Sequence, residues 1–238
     1  MSEARAQWPR SHSRAGRRRL ATLIALAVGL TPLAASMIWS VQSLRQKVPG
    51  NVIDAHAVRA EGVRLLRRGR PGEAAARYRR ALELHPDSPE THYRLATLLG
   101  SRGEAEAAIA HFERSLALRP DHAGANNNLG AVLRSENRPR SAAAHYREAL
   151  RIEPDHPIAH LNLGVVLLSL GEGEAAIEHM REAVDLAPEL SQVHYSLGRA
   201  LRMRGEAEEA ARHFEEALRL TPGFPGARKE LSLARSGE

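Results

Sequence analysis

Residues 156–190 read HPIAHLNLGVVLLSLGEGEAAIEHMREAVDLAPEL, and this stretch decides the fold. It divides into two short amphipathic segments around Gly171, each long enough for three to four helical turns. Its neighbours repeat it. Pro86, Pro120, Pro154, Pro188 and Pro222 follow one another at intervals of 34 residues, so the period is settled before any other feature.

If each of these prolines is place 32, units begin at Ala55, Pro89, Ala123, Pro157 and Ser191. Place 8 is then Gly62, Ala96, Gly130, Gly164 and Gly198. Place 20 is Ala74, Ala108, Ala142, Ala176 and Ala210, and place 27 is Ala81, Ser115, Ala149, Ala183 and Ala217. Small residues at these places let two helix backbones approach closely. Place 24 is bulky throughout (Tyr78, Phe112, Tyr146, Met180, Phe214) and fills the space that they leave. Place 15 is Gly69, Gly103, Asn137, Gly171 and Gly205, the residue types that accept the left-handed conformation closing a helix. Pro71 and Pro139 then fall in the first turn of the second helix, where the missing N–H costs nothing. Leucines at places 7 and 11 (Leu95 and Leu99, Leu129 and Leu133, Leu163 and Leu167, Leu197 and Leu201) share one buried face.

This pattern resembles the tetratricopeptide repeat over residues 55–222, in units 55–88, 89–122, 123–156, 157–190 and 191–224. The resemblance implies an all-α fold, a right-handed α-solenoid of five tandem helix–turn–helix repeats. Residues 225–236 are expected to form a capping helix over the apolar edge of the fifth unit. The resemblance also implies a concave groove lined by the first helices that binds a peptide or protein.

Within the family, places 2, 5, 6, 9, 12 and 13 tend to face that groove. Here they supply Arg59 and Arg67, then Tyr93, Arg94 and Thr97, then Asn127, Asn128 and Arg134. The last two units give Leu161 and Asn162, then Gln192, Tyr195, Arg199 and Arg202. Asn128 and Asn162 occupy the same place in adjacent units. They resemble the asparagine ladder by which some members of the family grip a peptide backbone through its donors and acceptors. The family's carboxylate clamp is not provided, because Val63, Arg94, Gly124 and Asn128 stand at four of its places. An extended internal segment is therefore expected, with acidic residues meeting Arg199 and Arg202.

The net charge of +6 is not a property of the repeats. Residues 1–50 hold eight basic side chains and one acid, leaving residues 51–238 at −1. Without a basic stripe on the folded part, nucleic-acid binding is not expected. The array is polarised, with eight arginines against four acids in the first unit and 18 basic against 22 acidic side chains over residues 89–238, a pattern suited to anionic lipid headgroups as well as to plain solvation. With no cysteine there are no disulfides and no thiolate metal sites.

Residues 1–19 form a basic tail, and residues 20–41, LATLIALAVGLTPLAASMIWSV, carry no charge over a length that can span a bilayer. The arginines ahead of this stretch place the N-terminus in the cytoplasm and the repeats on the outer side, in a single-pass protein. The alternative is a signal peptide, cleaved near Ala34-Ala35-Ser36, with the repeats secreted. Residues 42–54 read as a linker, with Pro49-Gly50 as a turn.

Histidine recurs at place 23 (His111, His145, His179, His213) and at place 4 (His92, His160, His194). Equivalent places in stacked repeats lie roughly 10 Å apart, whereas zinc needs its ligands about 2 Å from one ion. Place 23 therefore reads as a half-exposed outer face, place 4 as a packing position, and no metal or other cofactor is expected. There is no phosphate loop or nucleophile elbow, and the carboxylates fall on outer helix faces, so the chain is not expected to be an enzyme. The expected function is a membrane-tethered protein–protein interaction scaffold. The alternative is a fixed structural or assembly subunit of an envelope complex.

Overall fold

A computed structural model describes residues 50–236. Their elements in chain order are α1 (Gly50–Arg67), α2 (Pro71–Leu84), α3 (Pro89–Ser101), α4 (Ala105–Leu118), α5 (Ala123–Ser135) and α6 (Pro139–Ile152). They continue with α7 (Pro157–Ser169), α8 (Gly173–Leu186), α9 (Ser191–Met203), α10 (Ala207–Leu220) and α11 (Ala227–Ser236). The described residues form an all-helical solenoid without strands. The expected basic tail and apolar span lie outside them. Among the described residues, no helix is long and apolar enough to cross a membrane. The linker expected over residues 42–54 is helical from Gly50, where Gly50–Asp54 add a turn to the first helix.

Each odd-numbered helix packs against the next even one, and each even helix against the odd one after it. The odd helices α3, α5, α7 and α9 also touch in succession, forming one continuous face. Close packing within a unit comes from the glycine at place 8. A Cβ on Gly130 would stand 2.7 Å from Tyr146 Cε1, and one on Gly198 2.8 Å from Phe214 Cε1. The rings at place 24 are fully buried (Tyr78, Phe112, Tyr146, Phe214), each contributing about 1.5–3 kcal/mol of apolar burial. Ser115 replaces alanine at place 27 without leaving a buried hydroxyl orphaned, because its Oγ donates to the Pro89 carbonyl at 2.8 Å.

The unit ends as its sequence requires. Gly69, Gly103, Gly171 and Gly205 have φ between 70° and 87°, and Asn137 takes the same region at 55°. Proline opens α2, α3, α6 and α7. Ser88, His122 and His156 accept hydrogen bonds from the backbone N–H of the third residue of α3, α5 and α7, which are Thr91, Ala125 and Ala159. Asp87, the residue before the Ser88 cap, pairs with Arg114 at 2.5 Å.

The apolar edge left by α10 is covered by α11. Ala227 and Ala234 are buried there and Leu231 packs against the last core cluster. Arg202 of α9 pairs with Glu230 of α11 at 2.9 Å. Phe224, in the loop before α11, stacks on Tyr195 at a centroid distance of 5.0 Å.

Candidate functional site

The odd helices carry the expected groove residues, and many of these bond to one another. Asn162 Nδ2 donates to Asn127 Oδ1 at 3.1 Å, and Asn127 Nδ2 donates to Asn128 Oδ1 at 3.2 Å. Asn128 Nδ2 then reaches the Tyr93 hydroxyl at 3.3 Å and Thr97 Oγ1 at 3.4 Å. One chain of amides and hydroxyls thus crosses three units. Asn127, 7% exposed, is its buried middle link and joins the two asparagines that the sequence pairs directly. Tyr93 is held from behind by His122 and Phe112, with ring centroids 4.6 Å and 6.2 Å away.

The basic residues divide into engaged and available. Glu90 sits among three arginines, with Arg94 at 2.6 Å, Arg119 at 3.7 Å and Arg59 at 3.8 Å. Arg202 is held by Glu230 of the capping helix, so it is not an unengaged receiver for an acidic ligand, contrary to the sequence expectation. Arg199 is exposed, and its guanidinium carbon lies 6.0 Å from the Tyr195 ring centroid. Arg67 is exposed at the C-terminal end of α1. Gln192 donates to Ser196 Oγ at 3.3 Å. Leu161 does not line an open surface. It is 5% exposed and packs with Ala183 and Val193 between units.

Arg134 stands beside the Tyr146 hydroxyl. Burial pushes that phenol up to about 12, and the guanidinium opposes the shift. It does so without reaching hydrogen-bond geometry, since the hydroxyl is buried and unpartnered. Tyr78 is raised in the same way, by burial against the opposing charge of Arg94. Histidines at places 4 and 23, assigned separately from the sequence, meet inside the unit. His92 Nδ1 lies 2.9 Å from His111 Nδ1, and the fourth and fifth units repeat the contact. The comparison between equivalent places could not reveal this. The signal was the fixed 19-residue offset between the two histidine columns, which joins a first helix to its own second helix.

Two recesses open between successive odd helices. One, of about 240 Å³, lies between α7 and α9 and includes Val165, Leu168, Met180, Arg199 and Met203 in its lining. The other, of about 260 Å³, occupies the matching position between α3 and α5, with Thr97, Phe112, Asn128 and Val132 in its wall. Sequence reasoning passed over Val165 and Met203, although they stand at places 9 and 13 of the inward set. Among the described residues, the large apolar side chains left exposed are Leu66 at 37%, Ile158 at 38% and Met203 at 65%. They fall at places 12, 2 and 13, all on first helices. No group of three or more His, Cys, Asp or Glu side chains among the described residues is arranged to hold a metal ion.

A tandem array of helix pairs with a polar and apolar face along its first helices defines a helical-repeat protein, with a scaffold fold typical of protein–protein interaction. The tetratricopeptide repeat family profiles match residues 59–123, 93–139, 127–191 and 191–224, and the chain belongs to that family. Members are generally non-catalytic scaffolds, and nothing in the comparisons points to an enzyme. Among solved structures, MamA from Desulfovibrio magneticus RS-1 is similar at 29% identity, over 72% of this chain and 97% of that one, with a TM-score of 0.65. PilF of Pseudomonas aeruginosa matches at 23% identity over 78% and 90%, with a TM-score of 0.65. PilW, described as a widely conserved type IV pilus biogenesis factor, matches at 21% over 77% and 88%, with a TM-score of 0.68. At these identities, PilF and PilW establish a shared fold alone. No curated protein matches the sequence.

Proposed function

We infer that the protein is a membrane-tethered scaffold that binds an extended segment of a partner protein along the face of its first helices. The observation that carries this reading is the position of Leu66, Ile158 and Met203, whose exposure is confined to groove places. Exposed apolar side chains beside convergent polar groups mark a surface that recognises a chain. The amide chain from Asn162 to Tyr93 supplies the polar part. Among the described residues, Asn162 Oδ1 has no hydrogen bond, which leaves an acceptor for a peptide N–H. The recess beside Met203 takes one apolar side chain of the partner, and Arg199 at its rim takes a neighbouring carboxylate.

The tether is the uncharged stretch 20–41, with the N-terminus cytoplasmic and the repeats on the outer side. The arginines of the first unit then face anionic headgroups. Crosslinking in intact cells identifies the partner. Against that partner, Asn128→Ala with Asn162→Ala removes the amides offered to the peptide backbone, about 1 kcal/mol for each hydrogen bond to the partner, so binding weakens severalfold with helicity unchanged. Unaltered affinity in a folded double variant would place the partner elsewhere on the array. Alkaline carbonate washing tests the tether, and release of a protein shortened to near Met37 would replace the anchor by a cleaved signal.

A further inference from the structure

In the second, fourth and fifth units a histidine ties the first helix both to its own second helix and to the end of the preceding unit. In three units the ring at place 4 meets the ring at place 23 through Nδ1 atoms: His92 and His111 at 2.9 Å, His160 and His179 at 3.1 Å, His194 and His213 at 3.1 Å. The other nitrogen of each place-4 ring faces a proline carbonyl of the preceding unit. His92 Nε2 is 2.9 Å from Pro86 O, His160 Nε2 is 2.8 Å from Pro154 O, and His194 Nε2 is 3.0 Å from Pro188 O. A carbonyl can only accept, so each Nε2 carries the proton. The Nδ1 of a neutral ring in that tautomer is bare, and the place-23 ring must therefore donate its Nδ1–H to it. The third unit supports the assignment independently. It has Asn126 at place 4, and His145 Nδ1 lies 3.0 Å from Asn126 Oδ1, an oxygen that can only accept.

Two further histidines present a bare Nδ1 where one unit meets the next. His122 accepts from the Ala125 N–H at 3.2 Å and His156 from the Ala159 N–H at 3.3 Å, capping α5 and α7. Every joint from the second unit to the fifth thus contains an imidazole acting as a hydrogen-bond acceptor.

We propose that these joints are an acid-sensitive latch: each neutral acceptor nitrogen helps hold a first helix in its seat, and a proton taken up there releases it, so the array loosens along its length as pH falls. A proton on the Nε2 of the place-23 ring, which has no hydrogen bond among the described residues, leaves its Nδ1–H donating and the contact intact. A proton on the place-4 Nδ1 sets two N–H groups head to head and breaks the contact. A capping histidine releases with one proton, which also places a cation at the positive end of a helix.

Burial, the largest effect at each, holds His92, His111, His122, His145, His179 and His213 below the ordinary histidine value of 6.5. Facing charges adjust the joints individually. Arg79 and Arg114 oppose a proton on the first pair and Asp87 favours it. At the second pair Arg147 opposes it while Glu178 and Glu182 favour it. At the third pair Arg181 and Arg212 oppose it and Glu209 favours it, while Glu216 faces both rings. At His122 Arg119 opposes protonation and Glu90 and Asp121 favour it, and at His145 Arg138 opposes what Glu113 and Glu148 favour. The unfolded chain binds protons on these groups at higher pH than the folded one does. Their contribution is therefore complete above about pH 6.5 and is lost as pH falls through the window beneath it.

The test uses the full chain in detergent micelles. A variant carrying His92→Asn, His160→Asn and His194→Asn copies the Asn126 joint, and His122→Ser with His156→Ser copies the Ser88 cap. Between pH 7.5 and 4.5 the native thermal midpoint should fall on the order of 10 °C further than that of the variant, since several hydrogen bonds are lost from one and kept in the other. Parallel falls would overturn the proposal. Nitrogen-15 spectra of the native protein at pH 7.5 test it without any substitution. Nε2–H tautomers at His92, His160 and His194 with Nδ1–H at His111, His179 and His213 are expected, and mixed tautomers would overturn it.

Discussion

Tyr146 and Gly130 show how little tolerance one position of the repeat has. The ring is fully buried, and the glycine leaves no room for a methyl group. Gly130→Ala should destabilise the array by about 1–3 kcal/mol, because the added carbon forces a buried aromatic off its rotamer. The hydroxyl of the same ring is a separate matter. It is buried without a hydrogen bond, so Tyr146→Phe removes a desolvated polar group at no loss of packing. Stability should stay level or rise by up to about 1 kcal/mol. Urea unfolding measures both, and a clear loss in Tyr146→Phe would mean that Arg134 bonds the hydroxyl after all.

Among the described elements, α11 is the last, and it packs against α10 and α9 as each later first helix packs against the unit before it. It covers the edge where Ala210 and Phe214 of α10 and Ala200 and Leu201 of α9 belong to the terminal core cluster. Truncation before Ala227 uncovers that edge and leaves Arg202 without Glu230. The shortened chain should show a lower thermal midpoint and a tendency to self-associate, measured by light scattering. A truncated chain as stable and monodisperse as the full one would show that the fifth unit closes the array unaided. The pairing of Arg202 with Glu230 adds little to this, because half-exposed ion pairs contribute about 0–1 kcal/mol.

At the scale of the whole molecule, charge and topology meet. The basic N-terminal region and first unit stand against a more acidic remainder, an order that accords with the proposed tether. Single cysteines at Ser2 and Ser236 test this, and with no native cysteine the labelling is unambiguous. In intact cells a membrane-impermeant thiol reagent should label Ser236→Cys and spare Ser2→Cys. Equal or reversed labelling would contradict the orientation argued from the arginines.

The sequence by itself determined the period, the helix pairs and their ends. These follow from local rules, since a glycine or asparagine at place 15 and a proline opening a helix act on their own backbone wherever the chain goes. It also marked the first helices as the candidate binding face. Only the tertiary structure decided which side chains meet across helices. It buried Leu161, engaged Arg202 with Glu230, made Asn127 the link between Asn162 and Asn128, and paired the histidines of places 4 and 23. A periodic sequence compares each residue with its equivalents, which stacking keeps a helix spacing apart. Contact is made between unlike places, and those partners are chosen by how two helices cross.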